Sequence, residues 1–232
     1  MMSGAVVVVF SIGAMRSDRV LGHCARMRRP LGNGEEHLVK SDDSTNAEGH
    51  PERWAHDERL HAYWAEPGKI LAGEYPWGVS PGDEDAEEHR GKLELLADAG
   101  IETIFDLTSE GERISYAERW REIGAERKQP LRRSHYPIAD GEVLDPEEFA
   151  AIIAELEREL AAERKVYIHC FGGRGRTGTL VGIWYVSIGR TADEALALIA
   201  EARRGTKKEH QSSPETEVQI DAIREAERRS AQ

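Results

Sequence analysis

Two cysteines in 232 residues, Cys24 and Cys170, are too few for a disulfide framework, and neither belongs to a C-x-x-C pair that could seat zinc. Long apolar runs are missing as well. The longest, residues 5–10, falls far short of the roughly 20 residues that span a bilayer. Positive charge is in deficit, 31 Lys/Arg against 43 Asp/Glu, and a net charge of -12 repels nucleic acid and anionic lipid. Hydrophobic residues at 39% still suffice for one sizeable core, which excludes a wholly disordered chain. These absences leave an acidic globular domain, expected to be soluble, cytoplasmic and monomeric. It is expected to have no nucleic-acid partner, no membrane span, no metal and no cofactor.

Charge is unevenly spread. Residues 1–50 hold six Lys/Arg and six Asp/Glu, so the whole negative excess lies in 51–232. After Phe10 this first segment keeps no sustained helical or strand period, and residues 41–49 are polar and turn-rich, which predicts disorder over 1–55. Residues 5–15 have the apolar stretch of a secretory signal, but no positive charge precedes them and no clear small-residue cleavage site follows. A folded domain is expected over 56–225, with a short tail at 226–232.

Within that domain, residues 68–73 read as a short strand closed by glycines, and 101–107 as a β-rich inner strand. Residues 85–99 predict a helix stopped by Gly100, 111–124 a second helix, and 132–136 a strand ending at Pro137. Asp145 is a good N-cap for a helix that begins with Pro146, Glu147 and Glu148 and buries Phe149, Ile152, Ile153, Leu156 and Leu160. Residues 166–169 are a short apolar strand. Residues 177–188 form a helix apolar on nearly every side, which should be central. Thr191 and Glu194 make a capping box for a further helix that ends near Gly205. Alternation of strands and helices predicts an α/β domain: a mixed or parallel sheet of four to five strands flanked by helices.

The chemistry sits between the apolar strand and the central helix, in His169-Cys-Phe-Gly-Gly-Arg-Gly-Arg-Thr-Gly178. Three glycines in four positions let the backbone curl with N–H groups inward and open onto a helix N-terminus, which is a nest for a phosphate dianion. Phe171, Gly172, Gly173, Arg174, Gly175 and Arg176 form that nest. Cys170 lies at its start, where converging dipoles favour a sulfur nucleophile. Arg176 can fork onto two phosphate oxygens, and Thr177 can donate its hydroxyl to the sulfur as it leaves. His169 is better suited to orienting the loop than to acting as a base. A zinc site at His169 and Cys170 is disfavoured, because neighbours on a strand face opposite sides.

This segment resembles the signature H-C-x(5)-R-[ST] of the cysteine-dependent protein-tyrosine and dual-specificity phosphatases. Two further stretches are similar to bacterial dual-specificity-like members: Lys69-Ile-Leu-Ala-Gly-Glu-Tyr-Pro76, and Ile101 to Glu112, which follows G-I-x-x-I-x-D-L-T-x-x-x-E. The resemblance implies a phosphotyrosine-phosphatase-like fold over residues 66–223 and hydrolysis of phosphate monoesters through a phosphocysteine at Cys170. It also implies a general acid about thirty residues before the cysteine. Asp140, followed by the hinge Gly141, lies 30 residues before Cys170, whereas Asp145 reads as a helix cap. Ser213 to Gln219 is similar to the late loop that positions the hydrolytic water, with Gln219 and Glu215 as candidates. The same residues also read as a helix start capped by Ser213.

Phosphotyrosyl protein is the expected substrate. Arg174 at the rim leaves room for an inositol phosphate or phosphoinositide phosphatase, and a slow second step would make the domain a non-catalytic phosphate-binding module.

Overall fold

The computed structural model describes residues 53–78 and 86–231. Cys24, the apolar run at 5–10 and the disorder expected over 1–52 lie outside the described residues. Along the described chain run β1 (Ala62–Glu66), β2 (Ile70–Gly73), α1 (Ala86–Asp98), β3 (Ile101–Asp106), α2 (Ala117–Arg127), β4 (Arg132–His135), α3 (Pro146–Ala161), β5 (Lys165–His169), α4 (Gly175–Ser187), α5 (Ala192–Ala202) and α6 (Glu217–Ser230). The strands order β1-β2-β5-β3-β4. Only β1 is antiparallel to its neighbour; β2, β5, β3 and β4 are mutually parallel.

The side-chain alternation of each strand divides the core into two layers. Ile70, Ala72, Phe105, Val166 and Ile168 face Phe149 and Leu156 of α3, Leu180 and Val181 of α4, Ile199 of α5 and Ile223 of α6. Leu71, Ile104 and Tyr167 face the other way, onto Leu93 and Leu96 of α1 and Trp120 and Ile123 of α2. Each such side chain contributes about 1.5–3 kcal/mol by leaving water. Both faces are covered, as parallel strands require.

Helix α4 is buried at every position from Gly175 to Val186, which is why its sequence has no polar stripe. It can lie this deep because Gly182 leaves room for Ile223 of α6; a Cβ there would stand 2.3 Å from the Ile223 Cδ1. The expected caps form. Glu148 accepts the Asp145 N–H at 3.0 Å, and Thr191 and Glu194 exchange bonds at 3.2 and 2.9 Å.

Three local expectations change. Strand β1 was not anticipated. Residues 111–116 are loop rather than helix, and α2 starts only at Ala117, because the Glu112 carboxylate folds back to accept the Ser109 N–H at 2.8 Å. Helix α6 is capped by the Thr216 hydroxyl, not by Ser213, whose own hydroxyl donates to the Arg174 carbonyl at 2.8 Å. Core residues also begin before 56: Trp54 is buried and its indole donates to the Leu60 carbonyl, while α6 runs on to Ser230.

Candidate active site

Where β5 ends, the chain turns through Cys170 to Arg174 and enters α4 at Gly175, at the carboxyl ends of the parallel strands. Three carbonyls of this turn, and that of His169 at the end of β5, are engaged by other segments. Leu107 N–H donates to His169 O at 2.8 Å and Tyr75 N–H to Phe171 O at 2.9 Å. The Lys208 ammonium donates to Gly172 O at 3.0 Å and Ser213 to Arg174 O at 2.8 Å. In a trans peptide the N–H opposes the carbonyl. The N–H groups of residues 172 and 173 therefore point away from those outer partners, while the Gly175 N–H is taken by Glu215.

The glycines of the turn are not equivalent. Gly173 has φ +71° and its absent Cβ would lie 2.3 Å from the Gly73 carbonyl carbon and 2.6 Å from the Glu74 nitrogen. Backbone cannot yield there as a flexible side chain could. Gly172 has only the Arg174 Nε nearby, at 3.8 Å. Gly173→Ala should therefore cost about 2–5 kcal/mol and lower Tm by about 5–15 °C, from the positive φ and the overpacking together. Gly172→Ala should shift it little. Thermal melts of both variants check the pair, and equal melting temperatures would refute the assignment.

Cys170 is 2% exposed at the base of the nest. The preceding His169 is fully buried. Its Nδ1 is 3.1 Å from the Cys170 carbonyl, which can only accept, so Nδ1 carries the proton and Nε2 accepts from the Tyr116 hydroxyl at 2.5 Å. Burial lowers its pKa, partly opposed by the Asp106 carboxylate, and keeps the ring neutral. Asp106 resists the upward pull of its own burial. Hydrogen bonds from Thr108 and the Arg133 guanidinium hold its carboxyl down to about 2. The His169 ring thus bridges the Cys170 carbonyl and the Tyr116 hydroxyl.

Arg176 is 1% exposed and reaches back under the nest. Glu112 grips one edge, Nη1 at 2.7 Å and Nη2 at 3.0 Å, and the Ile138 carbonyl takes the second Nη1 proton at 2.9 Å. Asp140 Oδ1 stands 2.8 Å from Nη2. The Nε is buried and has no partner. Burial disfavours the charged guanidinium, but Glu112, Cys170 and Asp140 more than offset it and its pKa is raised. Asp140 itself is 78% exposed on the loop between β4 and α3, turned by Gly141 at φ +80°.

The rim is closed by the segment before α6. Glu215 pairs with Arg174 and accepts the Gly175 N–H at 3.1 Å, so a carboxylate stands against the first amide of α4. Gln219 is fully buried. Its Oε1 accepts the N–H groups of Glu215 and Thr216 at 3.1 and 3.3 Å, and its Nε2 reaches the Glu142 carbonyl at 3.5 Å. The Thr216 hydroxyl donates to the Gly141 carbonyl at 3.1 Å. Both bonds tie α6 to the Asp140 loop. Thr177 is buried on the first turn of α4 and its Oγ1 has no partner.

The family model for the dual-specificity and protein-tyrosine phosphatase domain of Swiss Army Knife proteins matches residues 83–232. The chain belongs to this phosphatase family. Solved structures show the same fold. Tk-PTP in its active form is 24% identical, with a TM-score of 0.57, over 72% of this chain and 97% of that one. Kinase associated phosphatase, with its catalytic-site cysteine replaced by serine, is 21% identical, with a TM-score of 0.55, over 74% of this chain and 95% of that one. PTPMT1 in complex with PI(5)P is 16% identical, with a TM-score of 0.53, over 71% and 93%. Among curated proteins, no sequence matches the chain. The mixed five-stranded sheet between helices is the fold expected of this phosphatase, and no helix among the described residues is long and apolar enough to cross a membrane.

One residue of the phosphatase site was given no role in the sequence. Glu112 was visible as the last position of the stretch resembling the family, but its partner Arg176 lies 64 residues on. Its carboxyl is held below the usual range: burial raises it, and Arg176 and the Ser109 N–H outweigh that. Such a depressed carboxylate on a buried guanidinium positions the guanidinium rather than transferring protons.

Proposed function

We propose that this phosphatase hydrolyses phosphate monoesters through a phosphocysteine at Cys170, with phosphotyrosyl side chains of proteins as the favoured substrate. One juxtaposition carries the reading. A buried cysteine lies at the start of the glycine-rich turn, beside an arginine held along one edge by Glu112 and unclaimed at Nε. Kinase associated phosphatase, of the same fold, is described as having a catalytic-site cysteine.

In this mechanism the phosphate dianion settles into the nest and takes the Nε–Nη2 edge of Arg176. That displaces Asp140 from Nη2 and leaves its carboxyl beside the ester oxygen. The Cys170 sulfur attacks phosphorus in line, the phosphorus–oxygen bond breaks, and Asp140 gives its proton to the departing oxygen. Water then attacks the phosphocysteine. Its proton passes to Asp140, the phosphorus–sulfur bond breaks, and the unpartnered Thr177 hydroxyl donates to the leaving sulfur. Throughout, Arg176 and the amides of residues 171–176 stabilise the equatorial oxygens. Gln219 has both ends engaged in the turn and Glu215 has both oxygens engaged, by Arg174 and the Gly175 N–H, so either would have to give up a bond to hold the attacking water. Arg174 is already neutralised by Glu215, and that weighs against an inositol phosphate or phosphoinositide as substrate.

The test is hydrolysis of p-nitrophenyl phosphate in excess EDTA, followed by acid quench and mass analysis of the peptide containing Cys170. Turnover with phosphate on Cys170 is expected. Turnover that requires an added divalent metal, or phosphate on another residue, overturns the mechanism. Asp140→Asn should lower kcat about a hundredfold on phenyl phosphate, where protonation of the leaving oxygen matters. On p-nitrophenyl phosphate, whose nitrophenolate leaves without a proton, the loss should be far smaller. An equal loss on both esters would remove Asp140 from the acid role.

A further inference from the structure

Beside the nest, the loop between β3 and α2 places Arg113 on Phe171. The guanidinium carbon lies 3.6 Å from the ring centroid, so the cation is stacked on the ring. Phe171 is 38% exposed although it directly follows the buried Cys170, and Ile114 beside Arg113 is exposed to the same 38%. Both backbones are pinned through Tyr75: its N–H donates to Phe171 O at 2.9 Å, and its hydroxyl to Ile114 O at 2.6 Å. Glu112, next in the chain, grips Arg176. The loop therefore forms a wall running from the phosphate-binding arginine to an apolar lip.

Arg113 is incompletely satisfied on this wall. Its Nε is buried without a partner, and its one hydrogen bond runs from Nη1 to the Glu112 carbonyl at 3.1 Å. Among the described residues no carboxylate pairs with it. The carboxylate of Glu112, its neighbour in the chain, is committed to Arg176 and the Ser109 N–H. Stacking uses the face of a guanidinium and leaves its edge, which matches the two oxygens of a carboxylate.

We infer that Arg113, stacked on Phe171, is a specificity-determining residue that receives a carboxylate flanking the phosphotyrosine of an acidic phosphopeptide. The exposed Phe171 and Ile114 supply apolar surface for the phosphotyrosine ring, and the Arg113 edge lies beside them for the neighbouring acidic side chain. An inositol polyphosphate would present anions with no apolar ring to cover Phe171 and Ile114, so the peptide is the better fit. The inference rests on the phosphatase reading of the same site.

The experiment uses two phosphotyrosyl peptides, with glutamate on both sides of the phosphotyrosine in one and glutamine in the other. They are assayed beside p-nitrophenyl phosphate and an inositol polyphosphate. Wild type, Arg113→Ala and Arg113→Lys are compared by the ratio of kcat/KM between the two peptides, which cancels any general loss of activity in a variant. Wild type should prefer the glutamate peptide about fivefold, Arg113→Ala should abolish the preference, and Arg113→Lys, lacking the fork, should keep about half of it. The preference should shrink as salt rises. An equal ratio in wild type and Arg113→Ala, or no preference in wild type, overturns the assignment while leaving the chemistry standing. A larger Arg113-dependent gain on the inositol polyphosphate than on the acidic peptide overturns the choice of ligand. Absence of turnover on every substrate, the small ester included, removes the phosphatase reading and this inference with it.

Discussion

Cys170→Ser should abolish turnover of p-nitrophenyl phosphate, by at least about ten-thousand-fold, while the protein still folds and binds orthophosphate. The substitution is close to isosteric, at a site 2% exposed, and exchanges one small atom for another. Nothing in the loop depends on the sulfur: the bonds that shape it run to the carbonyls of His169, Phe171, Gly172 and Arg174. The nest and Arg176 therefore survive. A serine hydroxyl at this position has no base to take its proton, since the neutral His169 ring is occupied by Tyr116 and the Cys170 carbonyl. It would be a poor nucleophile in an otherwise complete site. Two measurements check this: initial rates in excess EDTA, and calorimetric titration with orthophosphate. Retained phosphate binding with lost turnover is the expected pair. Activity within a hundredfold of wild type would place the nucleophile elsewhere, and loss of binding together with activity would mean that the sulfur shapes the loop.

How much of this was legible in the sequence follows from how local each feature is. The strand–nest–helix unit could be read because glycines, Cys170 and Arg176 are close together and each has a distinct backbone or charge signature. Helix α3 could be read because its capping residues and its apolar spacing agree. Strand β1 could not: Ala62-Tyr-Trp-Ala is apolar on both faces, so it shows no period of two until β2 and the helices are packed around it. The loop before α2 misled for a different reason. Its residues favour helix, but the Glu112 carboxylate is recruited by Ser109 and, from 64 residues away, by Arg176, and no local pattern reports a partner at that distance. Arg174 shows the same limit. Alone in the sequence it is a rim cation; in the fold Glu215, 41 residues on, has neutralised it.

Arg176→Lys should lower kcat/KM for p-nitrophenyl phosphate by about a thousandfold or more, although it conserves charge, because geometry rather than charge is what the site has arranged. Five guanidinium protons are apportioned: Glu112 takes two along one edge, Ile138 O takes a third, Asp140 faces a fourth on Nη2, and Nε is left free. An ammonium can face Glu112 or the phosphate, but it cannot present two parallel N–H groups to both. It should stay with Glu112, since a partly buried carboxylate without its cation is costly. The fold should survive for that reason, with orthophosphate affinity falling alongside the rate. Glu112→Gln separates positioning from charge. It leaves Arg176 in place with a weaker neutral partner, so its loss should be about tenfold. The comparison has a definite failure. If Arg176→Lys stays within tenfold of wild type, or if Glu112→Gln is as damaging as Arg176→Lys, the guanidinium is not the phosphate fork, and Glu112 takes part in the chemistry directly.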